Sequence, residues 1–332
     1  MQSGSVYFIV FLCVLSVSFS QCRQSRSSGR MFECKAAVEV CPNDDITFWL
    51  YTRTTQENPT RLNLDNPDTV NSSLFVESAP VVILIHGYTG DHDYSPNSDI
   101  RPALFNYSEY NVISVDYGPI AESPCYLSSV RNLKVVANCT AQLIDHMVDQ
   151  EISPLSAFHP IGFSLGAHVV GMVANYLKAG KLSRITALDP AKPMFVTAPP
   201  EDRIDAGDAH FVDVIHTDIL ERGLLLPTGH VDYYMNGGFT QPGCMSQTDT
   251  SPGSCNHDRA PIYFAESINS QRGFWGYKCF HWYAYVMGLC RKDDHYTALM
   301  GMHTPNSTRG LYFVWTNREA PYAKGREDSE TN

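Results

Sequence analysis

The stretch Pro160-Ile161-Gly162-Phe163-Ser164-Leu165-Gly166-Ala167-His168 decides how this chain is read. It has the pattern Gly-x-Ser-x-Gly, with a short apolar run before it. Behind it Leu165, Val169, Met172, Val173 and Tyr176 recur at helical spacing, and Gly180 marks a stop. A serine set between a strand and a helix sits on a sharp turn that pushes its hydroxyl into open space. The two glycines let neighbouring chain pass close by. The pattern also fits a plain glycine-lined helix start with Ser164 as N-cap. The surrounding sequence separates the two.

Upstream, Ile46–Thr52 is strand-like, and Val81-Val82-Ile83-Leu84-Ile85 is the continuous apolar run of a strand buried on both faces. Val112-Ile113-Ser114-Val115 is another, ending in Asp116-Tyr117-Gly118. Leu133, Val136, Leu143, Ile144 and Met147 share a helical face. Downstream come Ile185–Leu188 and Phe211-Val212-Asp213-Val214-Ile215. Strands separated by helices predict an α/β fold with a mostly parallel central sheet, right-handed crossovers and flanking helices. The 332 residues, 43% hydrophobic with 16 Phe and 18 Tyr, suit one large domain better than two.

In such sheets chemistry sits at the carboxyl ends of the strands, and polar residues collect there. His86-Gly87-Tyr88-Thr89-Gly90 follows the first strong strand, and the backbone N–H groups of Tyr88 and Leu165 could form a hole for an oxyanion. Asp189 ends the strand after the serine helix, 25 residues beyond Ser164. Asp213 and Asp218 are rival carboxylates. Asp213 alternates with Val212 and Val214, as a structural residue would. Chain order Ser…Asp…His leaves His210, His216, His230, His257, His281, His295 and His303 as candidate bases. His257 follows Cys255-Asn256, so a bridge from Cys255 to Cys244 would fix the loop carrying it. An imidazole held between serine and carboxylate needs such a mount.

Residues 1–20 contain no charge, and Val6–Val17 is nearly all apolar but shorter than the roughly 20 residues that span a bilayer. With Ser18 and Ser20 before Gln21 this predicts a signal peptide over 1–20, a polar tail over 21–33, a domain over 34–325 and a disordered tail over 326–332. No other stretch is long and apolar enough to span a membrane, so a secreted protein is expected. Ten cysteines agree. Sequence neighbours suggest the pairs Cys34–Cys41, Cys125–Cys139, Cys244–Cys255 and Cys279–Cys290, with Cys22 left over. Sequons stand at Asn71, Asn106, Asn138 and Asn306, and a disulfide at Cys139 would hinder the third. The absence of any Cys-x-x-Cys pair argues against a cysteine metal site. A net charge of −11 makes nucleic acid, or tight electrostatic docking on anionic lipid, a poor match.

Taken together, Leu84-Ile85-His86-Gly87, Gly162-Phe163-Ser164-Leu165-Gly166-Ala167-His168, Leu188-Asp189-Pro190-Ala191, Val212-Asp213-Val214-Ile215-His216-Thr217-Asp218 and Cys255-Asn256-His257 resemble the pancreatic lipase family of α/β-hydrolases. That family includes triacylglycerol lipases, phospholipases A1 and non-catalytic yolk proteins. The resemblance implies Ser164 as nucleophile, Asp189 as its carboxylate and His257 as base. It also implies oxyanion N–H groups at Tyr88 and Leu165, ester hydrolysis through an acyl-enzyme, a lipid substrate and no cofactor. After His257 only 75 residues follow, too few for the family's C-terminal β-sandwich, so a colipase partner is not expected. The lid between Cys244 and Cys255, Met245 to Ser254, is short and polar. Ten residues tied at both ends reach about half their extended length, roughly 17 Å. The segment from Ile219 to Thr228 is short as well. Short forms of both loops resemble the phospholipases A1, while short-lid relatives also act on neutral lipids or galactolipids, so phospholipase A1 and triacylglycerol lipase both stay open. Asp205 and Asp208 fall near the family's calcium loop, but Pro200 stands where its glutamate belongs, with Glu201 one further on, so no metal is expected.

Overall fold

The computed structural model describes residues 33–244, 252–290 and 297–326. The expected signal peptide, most of the 21–33 tail, Cys22, lid residues 245–251, His295 and residues 327–332 lie outside the described residues. In chain order the elements are β1 (Thr47–Tyr51), β2 (Thr60–Leu62), β3 (Val81–Ile85), α1 (Asn97–Tyr107), β4 (Asn111–Asp116), α2 (Tyr126–Asp149), β5 (Phe158–Phe163) and α3 (Leu165–Met172). There follow β6 (Leu182–Leu188), β7 (Ala209–His216), β8 (Val231–Met235), α4 (Pro252–Asn269), β9 (Phe274–Cys279), α5 (Trp282–Val286), β10 (Thr297–Met300) and β11 (Gly310–Val314).

All eleven strands join one sheet in the order β10-β9-β11-β8-β7-β6-β5-β3-β4-β1-β2. The run from β11 to β4 is parallel, and antiparallel strands close both edges. β3 shows why. All five of its side chains are buried. Val81, Ile83 and Ile85 join the core formed with α2 and α3, whereas Val82 and Leu84 join the core formed with α1 and α4. A strand covered on both faces reads as an unbroken apolar run, because neither set of alternate side chains meets water. The result is the expected α/β-hydrolase architecture: a mostly parallel sheet between helices, within the compact unit Cys34–Asn332.

Two disulfides differ from the neighbour pairing. Cys244–Cys255 and Cys279–Cys290 form, but Cys34 bridges Cys125 and Cys41 bridges Cys139, in place of Cys34–Cys41 and Cys125–Cys139. The reason is geometric. Cys139 lies within α2 and Cys125 at its N-cap, so about 14 helical residues, or roughly 21 Å, separate them. Bridged Cα atoms must lie near 5.5 Å. The seven-residue step from Cys34 to Cys41 spans nearly the same distance when extended, roughly 23 Å. The segment lies along α2, with Ala37 N–H on Asn132 Oδ1 (2.9 Å) and Asn132 Nδ2 on Lys35 O (3.0 Å). Each cysteine therefore meets the helix at its own level. Asn138, half-buried on α2, stands beside the bridged Cys139, while Asn71, Asn106 and Asn306 are exposed.

Candidate active site

Ser164 joins β5 to α3 with φ +56° and ψ −116°, a backbone state that non-glycine residues rarely adopt. The turn is held by crowding. A Cβ on Gly162 would lie 2.1 Å from Gly166 O, and one on Gly166 would lie 2.2 Å from Ile85 O. No side chain fits at either place, so the two glycines of the motif set the approach of β3, β5 and α3. Ser164 occupies the N-cap position of α3, yet its side chain makes no capping bond. The plain N-cap reading therefore lacks its hydrogen bond.

Asp189, at the end of β6, is fully buried and has φ +39°. Its Oδ1 accepts the N–H groups of Thr217 (2.7 Å) and Asp218 (3.1 Å), and its Oδ2 meets His257 Nδ1 at 2.6 Å. Space for the carboxylate exists because residue 223 is glycine: a Cβ there would lie 2.4 Å from Asp189 Oδ1. His257 lies on α4, not on the loop expected from sequence, since the helix already starts at Pro252. Its mount is a polar chain. Gln241 N–H donates to Asn256 Oδ1 (2.8 Å), Gln241 Nε2 donates to Thr217 O (3.0 Å) and Thr217 Oγ1 to His257 O (3.4 Å). The Cys244–Cys255 bridge adjoins this chain.

A cavity of about 690 Å³ takes in Ser164, His257, Gly87, Tyr88, Arg222 and Asp258 on its wall. The Gly87–Gly90 turn approaches Ser164 so closely that a Cβ on Gly87 would lie 2.8 Å from Ser164 Cβ. His86 fixes this turn. Its Nε2 accepts Tyr117 N–H (3.1 Å), which leaves Nδ1–H to donate to Gly87 O (2.8 Å). Thr89 N–H is committed to Ala121 O and Gly90 N–H to Gly87 O, while Tyr88 N–H has no acceptor among the described residues. Leu165 N–H belongs to the first turn of α3, where donors lack intrahelical partners.

The rival residues fall elsewhere or beside the pair. Asp213 is held by Arg184 (2.8 and 2.9 Å) and Thr186 (2.9 Å), a buried structural anchor. His216 bridges Asp232 and Leu224 O, His230 Nδ1 accepts Val212 N–H, His281 caps α5, and His303 bonds Ile268 O. Asp218 lies within the site. Together with Asp189 and His257 it forms a group of possible metal ligands, all within 4.8 Å of one another. Hydrogen bonds already occupy both oxygens of Asp189 and Nδ1 of His257, so these atoms form a hydrogen-bonded pair and not an open ligand set. Burial, and next the charge of Asp189, pushes Asp218 up to about 7. Its Oδ1 is buried without a partner.

Sequence reasoning weighed Asp218 as a rival and did not foresee it as a companion. Its position at the end of β7, parallel to that of Asp189 at the end of β6, was the available signal. Arg222 and Asp258 carried none. Asp205 and Asp208 share one turn, in which Asp208 Oδ2 accepts Asp205 N–H (2.8 Å) and Asp205 Oδ1 accepts Gly207 N–H. Burial raises the Asp208 carboxyl to about 7.

A family model described as Lipase matches residues 11–322. The chain belongs to the lipase family. Among similar proteins, inactive pancreatic lipase-related protein 1 of Homo sapiens is 36% identical over 262 residues, 73% of this chain and 56% of that protein. Lipase member H of Danio rerio is 38% identical, covering 79% of this chain and 59% of its own length. Phospholipase A1 member A of Rattus norvegicus is 36% identical, covering 67% and 48%. This lipase-family chain thus spans about half to three fifths of the length of these relatives.

Proposed function

We propose that the chain is a secreted carboxylic ester hydrolase of lipids, with Ser164 as nucleophile, His257 as base and Asp189 as the carboxylate that orients it. The observation that carries this reading is the 2.6 Å contact of buried Asp189 with His257 Nδ1, beside a cavity shared by His257 and the strained Ser164. With Nδ1 engaged by Asp189, Nε2 is the nitrogen that takes the proton from Ser164 Oγ as it attacks the ester carbonyl. The N–H groups of Tyr88 and Leu165 stabilise the resulting oxyanion. His257 then passes the proton to the departing alcohol, and water releases the acyl group by the same steps.

The acyl donor we propose is a phospholipid, cleaved at the sn-1 ester. Support comes from the short polar lid sequence. A fluorophosphonate probe should label Ser164, and Ser164→Ala should abolish both labelling and turnover. Equal labelling of the two proteins would overturn the assignment. Mixed-acyl phosphatidylcholine and triolein offered in parallel separate the substrates: fatty acid released only from triolein would overturn the phospholipid reading. The second reading is a non-catalytic lipid-binding relative, prompted by the similar protein named inactive. Full labelling without turnover of any ester would favour it.

A further inference from the structure

The loop closed by Cys279–Cys290 carries the most concentrated apolar surface among the described residues. Phe280, Tyr283, Val286, Met287 and Leu289 are each 56–69% exposed. Between the two cysteines there is no Lys, Arg, Asp or Glu. This exposure does not come from an unpacked segment. Tyr285 stacks on Phe313 with ring centroids 4.0 Å apart, Ala284 is fully buried, and Trp282 Nε1 donates to Gly237 O at 2.9 Å. His281 caps α5 through Ala284 N–H, and the disulfide closes the base. Tyr283, Val286 and Met287 stand at positions i, i+3 and i+4, one outward face of the helix. A fixed apolar face of this kind in water marks a docking surface.

Its place in the fold indicates what it meets. α5 packs against Asn236–Gly238, the turn that follows the carboxyl end of β8. Gly238 O accepts Ile219 N–H at 2.8 Å, and Ile219 follows Asp218 of the candidate site. Leu220, the next residue, is exposed as well. The loop therefore adjoins the segment that walls the candidate site. We infer that Cys279–Cys290 docks the chain on a zwitterionic phospholipid bilayer, by insertion of Phe280, Tyr283, Val286, Met287 and Leu289. A charge of −11 opposes an anionic surface, and an uncharged loop offers nothing to a charged protein partner. Aromatic rings and long apolar side chains suit the headgroup boundary. Among the described residues no helix is long and apolar enough to cross a membrane. Lid residues Met245–Ser254 cannot supply this contact, since Met245 is their only large apolar side chain.

The inference rests on the lipid reading above, and its test is independent of turnover. Vesicles of diether phosphatidylcholine, which has no ester to cleave, should carry the full chain down on sedimentation. Phe280→Ser with Met287→Ser should lower the partition coefficient at least about tenfold, with an unchanged thermal midpoint. Tyr283→Ser with Val286→Ser, a second pair, should do the same. Failure of the wild type to sediment, or partition of both variants equal to that of the wild type, would overturn the proposal. So would a wild-type dimer that these substitutions dissociate without changing partition, since the face would then bind a second copy. Activity on soluble p-nitrophenyl butyrate reads the Ser164 assignment separately. Vesicle binding without esterase activity overturns the hydrolase reading and leaves the docking in place.

Discussion

Two acids share one buried site, and their hydrogen bonding sets them apart. Asp189 accepts two main-chain N–H bonds through Oδ1 and meets the imidazole through Oδ2. Asp218, buried beside it with one oxygen unpartnered, resists ionisation up to about pH 7. Asp189→Asn should therefore cost heavily in kcat; the equivalent change in a serine protease costs about 10⁴. Asp218→Asn mimics the neutral acid and should change kcat far less at pH 7. A loss as large as that of Asp189→Asn would show that Asp218 takes part directly. Stability separates them as well. The folded pKa of Asp218 is raised, so its stabilising proton is fully held below about pH 4 and lost as pH rises through about 7. Asp218→Asn should consequently gain thermal midpoint over wild type at pH 8, and the gain should shrink toward pH 5 in scanning calorimetry.

At the scale of elements, the disulfides divide by function. Cys34–Cys125 and Cys41–Cys139 close loops of 91 and 98 residues and tie an extended segment to α2, on the sheet face opposite α4. By the chain-entropy model each is worth roughly 4–5 kcal/mol. Cys34→Ser with Cys125→Ser should lower the thermal midpoint by several degrees while leaving kcat on a soluble ester within about twofold. Cys244–Cys255 spans only 11 residues, worth about 3 kcal/mol by the same model, but it adjoins Asn256 and His257. Its removal should act mainly on rate, because an error of about 1 Å in a catalytic group can cost roughly 10²-fold. Equal thermal losses with equal retention of activity in the two variants would refute this division.

For the molecule as a whole, cavity and apolar loop are joined through the carboxyl-end segments of one sheet. β6 and β7 lead directly into Asp189 and Thr217-Asp218, and the turn after β8 supports α5. On the two proposals above, the chain would take hold of lipid with a fixed surface and would not depend on a long amphipathic lid. On a short-chain ester it should show full activity as monomer, with no sharp rise in rate above the solubility limit. Continuous titration of rate against ester concentration checks this, and a steep jump at that limit would refute it.

Residue order by itself determined much of this protein. The unbroken run Val81–Ile85 reported a strand covered on both faces, and Gly-x-Ser-x-Gly marked a turn that only glycine neighbours permit. The carboxylate and imidazole that meet at 2.6 Å were among the residues read from strand ends and chain order. These features are local in sequence or repeat with a period, so the chain alone carries them. Tertiary structure decided the rest. Which cysteine meets which depended on an extended segment matching four turns of α2 in length, a fact visible only once the two lie side by side. His257 was anchored by a helix that starts earlier than its loop-like sequence suggested. Asp218 came to lie buried beside Asp189, with its pKa raised, because two adjacent parallel strands end at one level. The exposed face of α5 is likewise a tertiary outcome: Tyr285 and Ala284 were drawn into the core, while Tyr283 and Met287, equally apolar in sequence, remained outside. Packing distinguishes such residues because only one face of a helix can reach the sheet.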